Sequence, residues 1–344
     1  MKKTKLSVIL YVLALMLVMY NCKKKEEPFP TEPSGPGLEE LNKVKVEPIT
    51  PTTPAAVTTT AGTVGASAES AAVNGALSNI ATTGVVPATV TAAGAAVTAA
   101  LPAADVTALA AITPATIASV SATGVVPAEL KAIMDKVAAN PALKAYLPKI
   151  TLPTVNGVTV NGRIGAIEAI EAIEAVQVED ACLVAAEAKF QEKKTQLDAA
   201  KAVEDGKVTT TYSTAVAALA ADETSCKASV PAAMTAARAA IQAQIDKAYA
   251  DLEPIKATLG DQLYTALYAL VGIQAIGAFS GLPALEAASI NACTATTTAK
   301  TTALQAARDA DLGKVNTSYT AAIAAASAAR AKLIESCHNQ GGGQ

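Results

Sequence analysis

The sequence reads GKVTTTYSTAVAALAA at 206–221 and GKVNTSYTAAIAAASA at 313–328. Nine of these 16 positions are identical, among them Gly206/Gly313, Lys207/Lys314 and Tyr212/Tyr319. Each copy lies between two cysteines, Cys182 and Cys226 around the first, Cys293 and Cys337 around the second. The spacings are equal, 226 − 182 = 44 and 337 − 293 = 44. The copies differ in register by four residues relative to the first cysteine. Four residues are about one helical turn, so equivalent side chains stay near one face. These observations predict two related helical hairpins, each turning near its glycine and closed by a disulfide, Cys182 to Cys226 and Cys293 to Cys337. Four cysteines allow three connectivities, and the hairpin reading selects this one.

Outward from the repeats, composition points the same way. The 344 residues include 80 alanines, no Trp, 3 Phe and 1 His. Alanine-rich helices approach closely but bury little area per residue, so covalent cross-links would help such a core. The segment PAAMTAARAAIQAQIDKAYADLE at 231–253 carries Met234, Ala237, Ile241, Ile245, Ala248 and Leu252 at helical spacing, with Pro231 placed for a helix start. The stretch QLYTALYALVGIQAIGAFSGLPAL at 262–285 has no charge and approaches membrane-spanning length. Gly272, Gly277, Gly281 and Pro283 suit a buried central helix, broken at 281–283, better than an uninterrupted span.

Toward the N-terminus, ITLPTVNGVTVNGR at 150–163 sets Asn156-Gly157 between β-branched residues, the signature of a tight β-hairpin. Before it, residues 61–149 form an Ala/Thr-rich helical region. ATTGVVPATV at 81–90 recurs there as SATGVVPAEL at 121–130, a 40-residue repeat. Gly84 and Gly124 are expected to end one helix in the left-handed conformation, and Pro87 and Pro127 to open the next. Residues 22–60 carry prolines at 28, 30, 33, 36, 48, 51 and 54 and read as an extended tether without regular helix.

The first residues, MKKTKLSVILYVLALMLVMYNC, place three lysines before an apolar run from Leu6 to Met19 that ends at Asn21-Cys22. This is the pattern of an export signal. With Val18-Met19-Tyr20-Asn21 before the cysteine, it resembles a bacterial lipoprotein precursor of the spirochaete type. The resemblance covers about the first two dozen residues. It implies cleavage after residue 21, diacylation of Cys22 and a lipid-anchored place in the cell envelope, at the outer membrane. The body of the chain resembles no known family.

The expected architecture is therefore all-α: a signal at 1–21, a lipidated tether at 22–60, a helical region at 61–149, and a disulfide-stabilised bundle at 150–340. An even number of cysteines beyond Cys22 suits an oxidising compartment. The formal charge of −3 lacks the basic surface that nucleic acid requires. No CxxC motif is present, and His338 is the single imidazole, so neither metal nor redox chemistry is expected at the cysteines. Glu168, Glu171 and Glu174 alternate with isoleucines and read as a solvated helix face, as do Lys189, Lys193 and Lys194 among Glu187 and Glu192. Gly272–Gly277 has phosphate-loop spacing, but Ala278 stands where a Walker lysine would be. No catalytic, cofactor or metal site is assigned. The leading expectation is a non-enzymatic envelope lipoprotein that presents its helical bundle for protein interaction or adhesion, its partner protein unknown. The alternative is a periplasmic carrier or sensor of a small apolar ligand held between helices near Tyr264, Tyr268, Leu270 and Phe279.

Overall fold

A computed structural model describes residues 35–160 and 181–339. Helices dominate. The N-terminal series is α1 (Pro36–Lys43), α2 (Ala68–Thr83), α3 (Ala88–Ala100), α4 (Ala103–Ala110), α5 (Pro114–Thr123), α6 (Ala128–Ala139) and α7 (Pro141–Lys144). Then come two far longer helices, α8 (Ala181–Leu252) and α10 (Asp261–Asn339), joined by a 3-10 turn at Glu253–Ile255 and the short α9 (Lys256–Leu259). Gly260, at φ +74°, closes that connection.

The long helices overturn the expected hairpins. Gly206 and Gly313 lie inside α8 and α10, and neither interrupts its helix. Pro231, expected to open a helix, is also interior, as is Pro283, where a break was expected. A proline removes one helix hydrogen bond, and a long helix held by packing on either side absorbs that loss. The disulfides accordingly join one long helix to the other: Cys182 to Cys337 and Cys226 to Cys293, with Cα atoms 5.9 and 5.8 Å apart. The equal 44-residue spacings record an antiparallel pairing of two helices, not two closed hairpins.

The described residues divide into two compact units, one comprising residues 35–53, 181–212 and 307–339, the other 54–160 and 213–306. Both long helices contribute residues to both units.

In the first unit α8 and α10 meet along small residues. Ala322, Ala326, Ala329 and Leu333 recur at spacings of four and three, the apolar seam of an antiparallel helix pair. Leu197 and Ala186 face them from α8, and Leu41 of α1 completes the core. Gly37 of α1 lies so close to α10 that a Cβ there would stand 2.8 Å from the Leu333 nitrogen. Residues 36–53 are thus a packed arm, contrary to the tether expected at 22–60. Pro36 stands in the first helical turn of α1, where its missing N–H costs nothing, so proline starts a helix here. Residues 22–34 of the expected tether, Cys22 among them, and the signal at 1–21 lie outside the described residues.

The second unit has a larger core, built around the apolar half of α10. Ala266, Leu270, Ile273, Phe279 and Leu282 are fully buried there, so residues 262–285 form the central helix, as the glycine content suggested. The stripe Met234, Ile241, Ile245, Ala248 and Leu252 of α8 packs into the same core. The short helices lie over α10, brought close by glycine: a Cβ on Gly94 of α3 would stand 2.2 Å from Leu263. Gly84 and Gly124 adopt the left-handed conformation (φ +66° and +68°) at the ends of α2 and α5, and Pro87 and Pro127 occupy the N-caps of α3 and α6.

The Asn156-Gly157 hairpin forms as expected. Strand β4 (Thr154–Val155) pairs with β5 (Val158–Thr159), and both turn residues have positive φ, 51° and 76°. The sequence did not indicate its partners. Strand β1 (Thr59–Thr60) adds to β4, and β2 (Thr63–Gly65) pairs antiparallel with β3 (Lys149–Thr151). These ladders tie the two ends of the short-helix region together.

Candidate functional site

Cys22, Glu168, Glu171 and Glu174 lie outside the described residues. Cys182, Cys226, Cys293 and Cys337 are all consumed in disulfides. The charged residues near 190 form local pairs on α8: Lys189 with Glu192 at 3.2 Å and Lys194 with Asp198 at 2.7 Å, while Lys193 donates to the Asn42 carbonyl. Lys189 and Glu192 are solvated as the pattern predicted, whereas Glu187 pairs with Arg330 of α10 and Lys193 reaches the arm.

Of the residues expected around an apolar ligand, Leu270 and Phe279 are fully buried, and Tyr264 and Tyr268 are half-buried and pack against the same core. Tyr268 packs at a tilt against both Tyr249 and Tyr264, with ring centroids 4.5 Å and 5.7 Å away. The Tyr264 hydroxyl donates to Glu253 at 2.8 Å, and the Lys256 ammonium sits over its ring. Burial, then the neighbouring Glu253, push the Tyr264 phenol up to about 12, and burial raises Tyr249 further. Both therefore stay neutral, as packing groups should.

A cleft does exist in the second unit, at another place. It is bounded by α2, the C-terminal part of α8, α10 and the β2 strand, and encloses about 100 Å³. Its walls are mostly apolar, with Val64, Ile241, Ile245 and Ala278 among them. Two side-chain amides meet in it. Asn74 of α2 donates through Nδ2 to Gln274 Oε1 at 3.4 Å, leaving Asn74 Oδ1 and Gln274 Nε2 buried without a partner. Gln274 is only 9% exposed. Ser70, beside them, is already engaged: its hydroxyl donates to the Tyr146 carbonyl at 2.6 Å and accepts from Ser67. None of the lining residues is charged. Asn74 and Gln274 carried no sequence signal, since the two amides are 200 residues apart and each stands in an ordinary helical segment.

The first unit holds a polar clasp beside an open groove of about 800 Å³ between the arm at residues 43–47 and α10 at residues 310–325. Asp311 of α10, 7% exposed, accepts from the Thr52 backbone N–H at 2.9 Å, from the Thr52 hydroxyl at 2.5 Å and from Lys314 at 3.0 Å. Lys314 also donates to the Thr50 carbonyl at 2.9 Å. Burial pushes the Asp311 carboxyl up, but the bonds from Thr52 and Lys314 together outweigh it and hold the group below its ordinary value. Nearby, Asp198 is held down by Lys194 and by Tyr319, whose hydroxyl donates to it. Of these repeat positions, Lys314 helps seat the N-terminal arm, whereas Tyr319 ties α10 to Asp198 of α8.

Comparison with protein-family models, curated proteins and solved structures finds no match to this chain.

Proposed function

We propose that the chain is an envelope lipoprotein, anchored through diacylated Cys22, that presents its disulfide-bonded helices for interaction with another protein. The observation that carries the reading is the cysteine inventory. Of 5 cysteines, four are spent in two disulfides, which speaks for an oxidising compartment, and Cys22 is left over. It stands directly after the apolar run of an export signal, where a lipid is the use that the sequence suggests for it. Two acyl chains give stable anchoring where one gives only marginal binding.

The arm at 36–53 supports the reading from the other side. Anchored by Cys22, the chain would meet its helical body within a short span, with α1 and the Asp311 clasp taking up the connection. The ion-paired face of α8 near residues 189–198 offers a solvated, hydrophilic surface suited to display. Radiolabelled palmitate fed to expressing cells should enter the wild-type protein and not a Cys22→Ala variant, which should leave the membrane fraction. Continued labelling of that variant would remove the anchor. Inertness of the helical body toward arrays of envelope and host proteins would remove the interaction role.

A further inference from the structure

In the first unit the two copies of the repeat pack as near equivalents, each residue of α8 matching the one 313 − 206 = 107 positions later in α10. Lys201 sits over the ring of Tyr319, and its counterpart Arg308 sits over Tyr212. In each copy an acid pairs with the lysine three residues on, Glu204 with Lys207 at 2.6 Å and Asp311 with Lys314 at 3.0 Å. The outward faces therefore correspond as well. On α10 that face carries the proline-rich stretch EPITPTTP at 47–54, which is neither helix nor strand. Thr52 gives its N–H and hydroxyl to Asp311, the Thr50 carbonyl accepts from Lys314, and the Glu47 backbone exchanges two hydrogen bonds with Ser318. The copies differ in burial just there. Asp311 and Val315 are buried and Ser318 is half-buried, whereas Glu204 and Val208 are half-buried and Thr211 is exposed. At every other position from 201 to 212 the two copies are alike, exposed with exposed and half-buried with half-buried.

We propose that the copy on α8, at residues 203–211, docks an extended proline-rich peptide of a partner protein, one with the chemistry of the arm on α10. The correspondence fixes the contacts. Glu204 would accept from the N–H and hydroxyl of a threonine, as Asp311 does from Thr52. Lys207 would donate to the carbonyl two residues before that threonine, and Thr211 would exchange hydrogen bonds with the backbone five residues before it. The peptide would run antiparallel to α8, as the arm does to α10. Val203, 57% exposed, stands where α10 has Ala310 and adds an apolar contact. Proline suits such a ligand, because its extended backbone is formed in advance and loses little freedom on binding. A helical segment suits it poorly, since its backbone N–H groups are already bonded and cannot reach Glu204. The chain's own arm is committed to α10, which leaves this face to another molecule. The assignment names a partner class for the interaction role proposed above and rests on that reading, but not on the anchor at Cys22.

The test titrates the full chain into a fluorescent peptide with the sequence VEPITPTTP, residues 46–54 of this chain, and follows its anisotropy. Binding should be saturable, with a half-point in about the high micromolar range expected of a short peptide. Glu204→Ala should weaken it at least about tenfold, the worth of a charge-assisted hydrogen bond. Thr211→Arg, at an exposed position, should do the same and decides the matter should Glu204→Ala disturb the helix. A peptide carrying Thr52→Pro, which lacks both the N–H and the hydroxyl, should bind as weakly. Absence of saturable binding, or binding that both variants leave unchanged, would overturn the proposal. So would binding that strips the Thr52 amide of the intact chain of its protection against hydrogen exchange, since the peptide would then sit on α10. Self-association of the chain that the peptide does not compete would give the face to a second copy, and overturn it too. None of these measurements involves Cys22, and palmitate labelling involves no residue of α8, so the anchor and this face fail separately.

Discussion

Gly84 and Gly124 occupy equivalent places in the 40-residue repeat, and they separate two reasons for a glycine. Both have positive φ, which costs an L-residue about 1–2 kcal/mol. Around Gly84 the space for a Cβ is open, whereas at Gly124 that atom would stand 2.2 Å from Pro283. Gly84→Ala should therefore destabilise by about 1 kcal/mol, the backbone cost alone, and Gly124→Ala by about 2–4 kcal/mol as α10 is displaced. Urea unfolding of the two variants checks this, and equal losses would contradict the packing. Asp311 makes a second prediction at this scale. Its carboxyl is held below its ordinary value of 3.8, so it contributes stability that is present above that value and lost as pH falls through the lower folded value. Protection of the Thr52 amide against hydrogen exchange, relative to its intrinsic rate at each pH, should be full at neutral and mildly acidic pH and be lost only below 3.8. In Asp311→Asn it should be lower at neutral pH and lack this acid-dependent loss. Neither Asp311 nor the amides of Asn74 and Gln274 could be picked out from sequence, because their partners lie 259 and 200 residues away. The left-handed glycines and the Asn156-Gly157 turn were legible, because local backbone sterics alone determine them.

Among the elements, the lesson concerns what a glycine or proline means inside a long helix. Gly206, Gly313, Pro231 and Pro283 all carry local breaker chemistry, and none breaks its helix. Buried residues keep helical spacing across the prolines, with Val230, Met234 and Ile241 around Pro231 and Phe279, Leu282 and Leu285 around Pro283, and packing along that seam outweighs the local preference. Helix type and apolar face were thus legible from periodicity, whereas helix ends were not. One consequence is directional. Nothing lies within 4 Å of a Cβ placed at Gly206 or Gly313, so an alanine there fits without strain. Gly206→Ala and Gly313→Ala should each raise stability by about 0.5–1 kcal/mol, the ordinary gain for an interior helix position. A hairpin turning at these residues would instead be destabilised. Thermal melts of the two variants distinguish the cases by sign.

For the whole molecule, the decisive fact is that both disulfides join α8 to α10. They link residues 155 and 67 apart in sequence, and in the chain-entropy account loops of that size contribute roughly 4–5 kcal/mol each. Each unit holds one of these bonds beside a core of its own, small and alanine-lined in the first, larger and centred on α10 in the second. The all-α class and the use of the four cysteines in disulfides could be read from composition and count. Their pairing could not, because equal 44-residue spacings fit two closed hairpins as well as one antiparallel pair. The measurement that decides between them is mass-spectrometric mapping of tryptic peptides from the unreduced protein. The peptide 208–227, which carries Cys226, should be found joined to 257–300, which carries Cys293, and the peptide ending at Lys189 with Cys182 joined to 333–344 with Cys337. Linkage of Cys182 to Cys226, or of Cys293 to Cys337, would contradict the antiparallel helix pair on which the account rests.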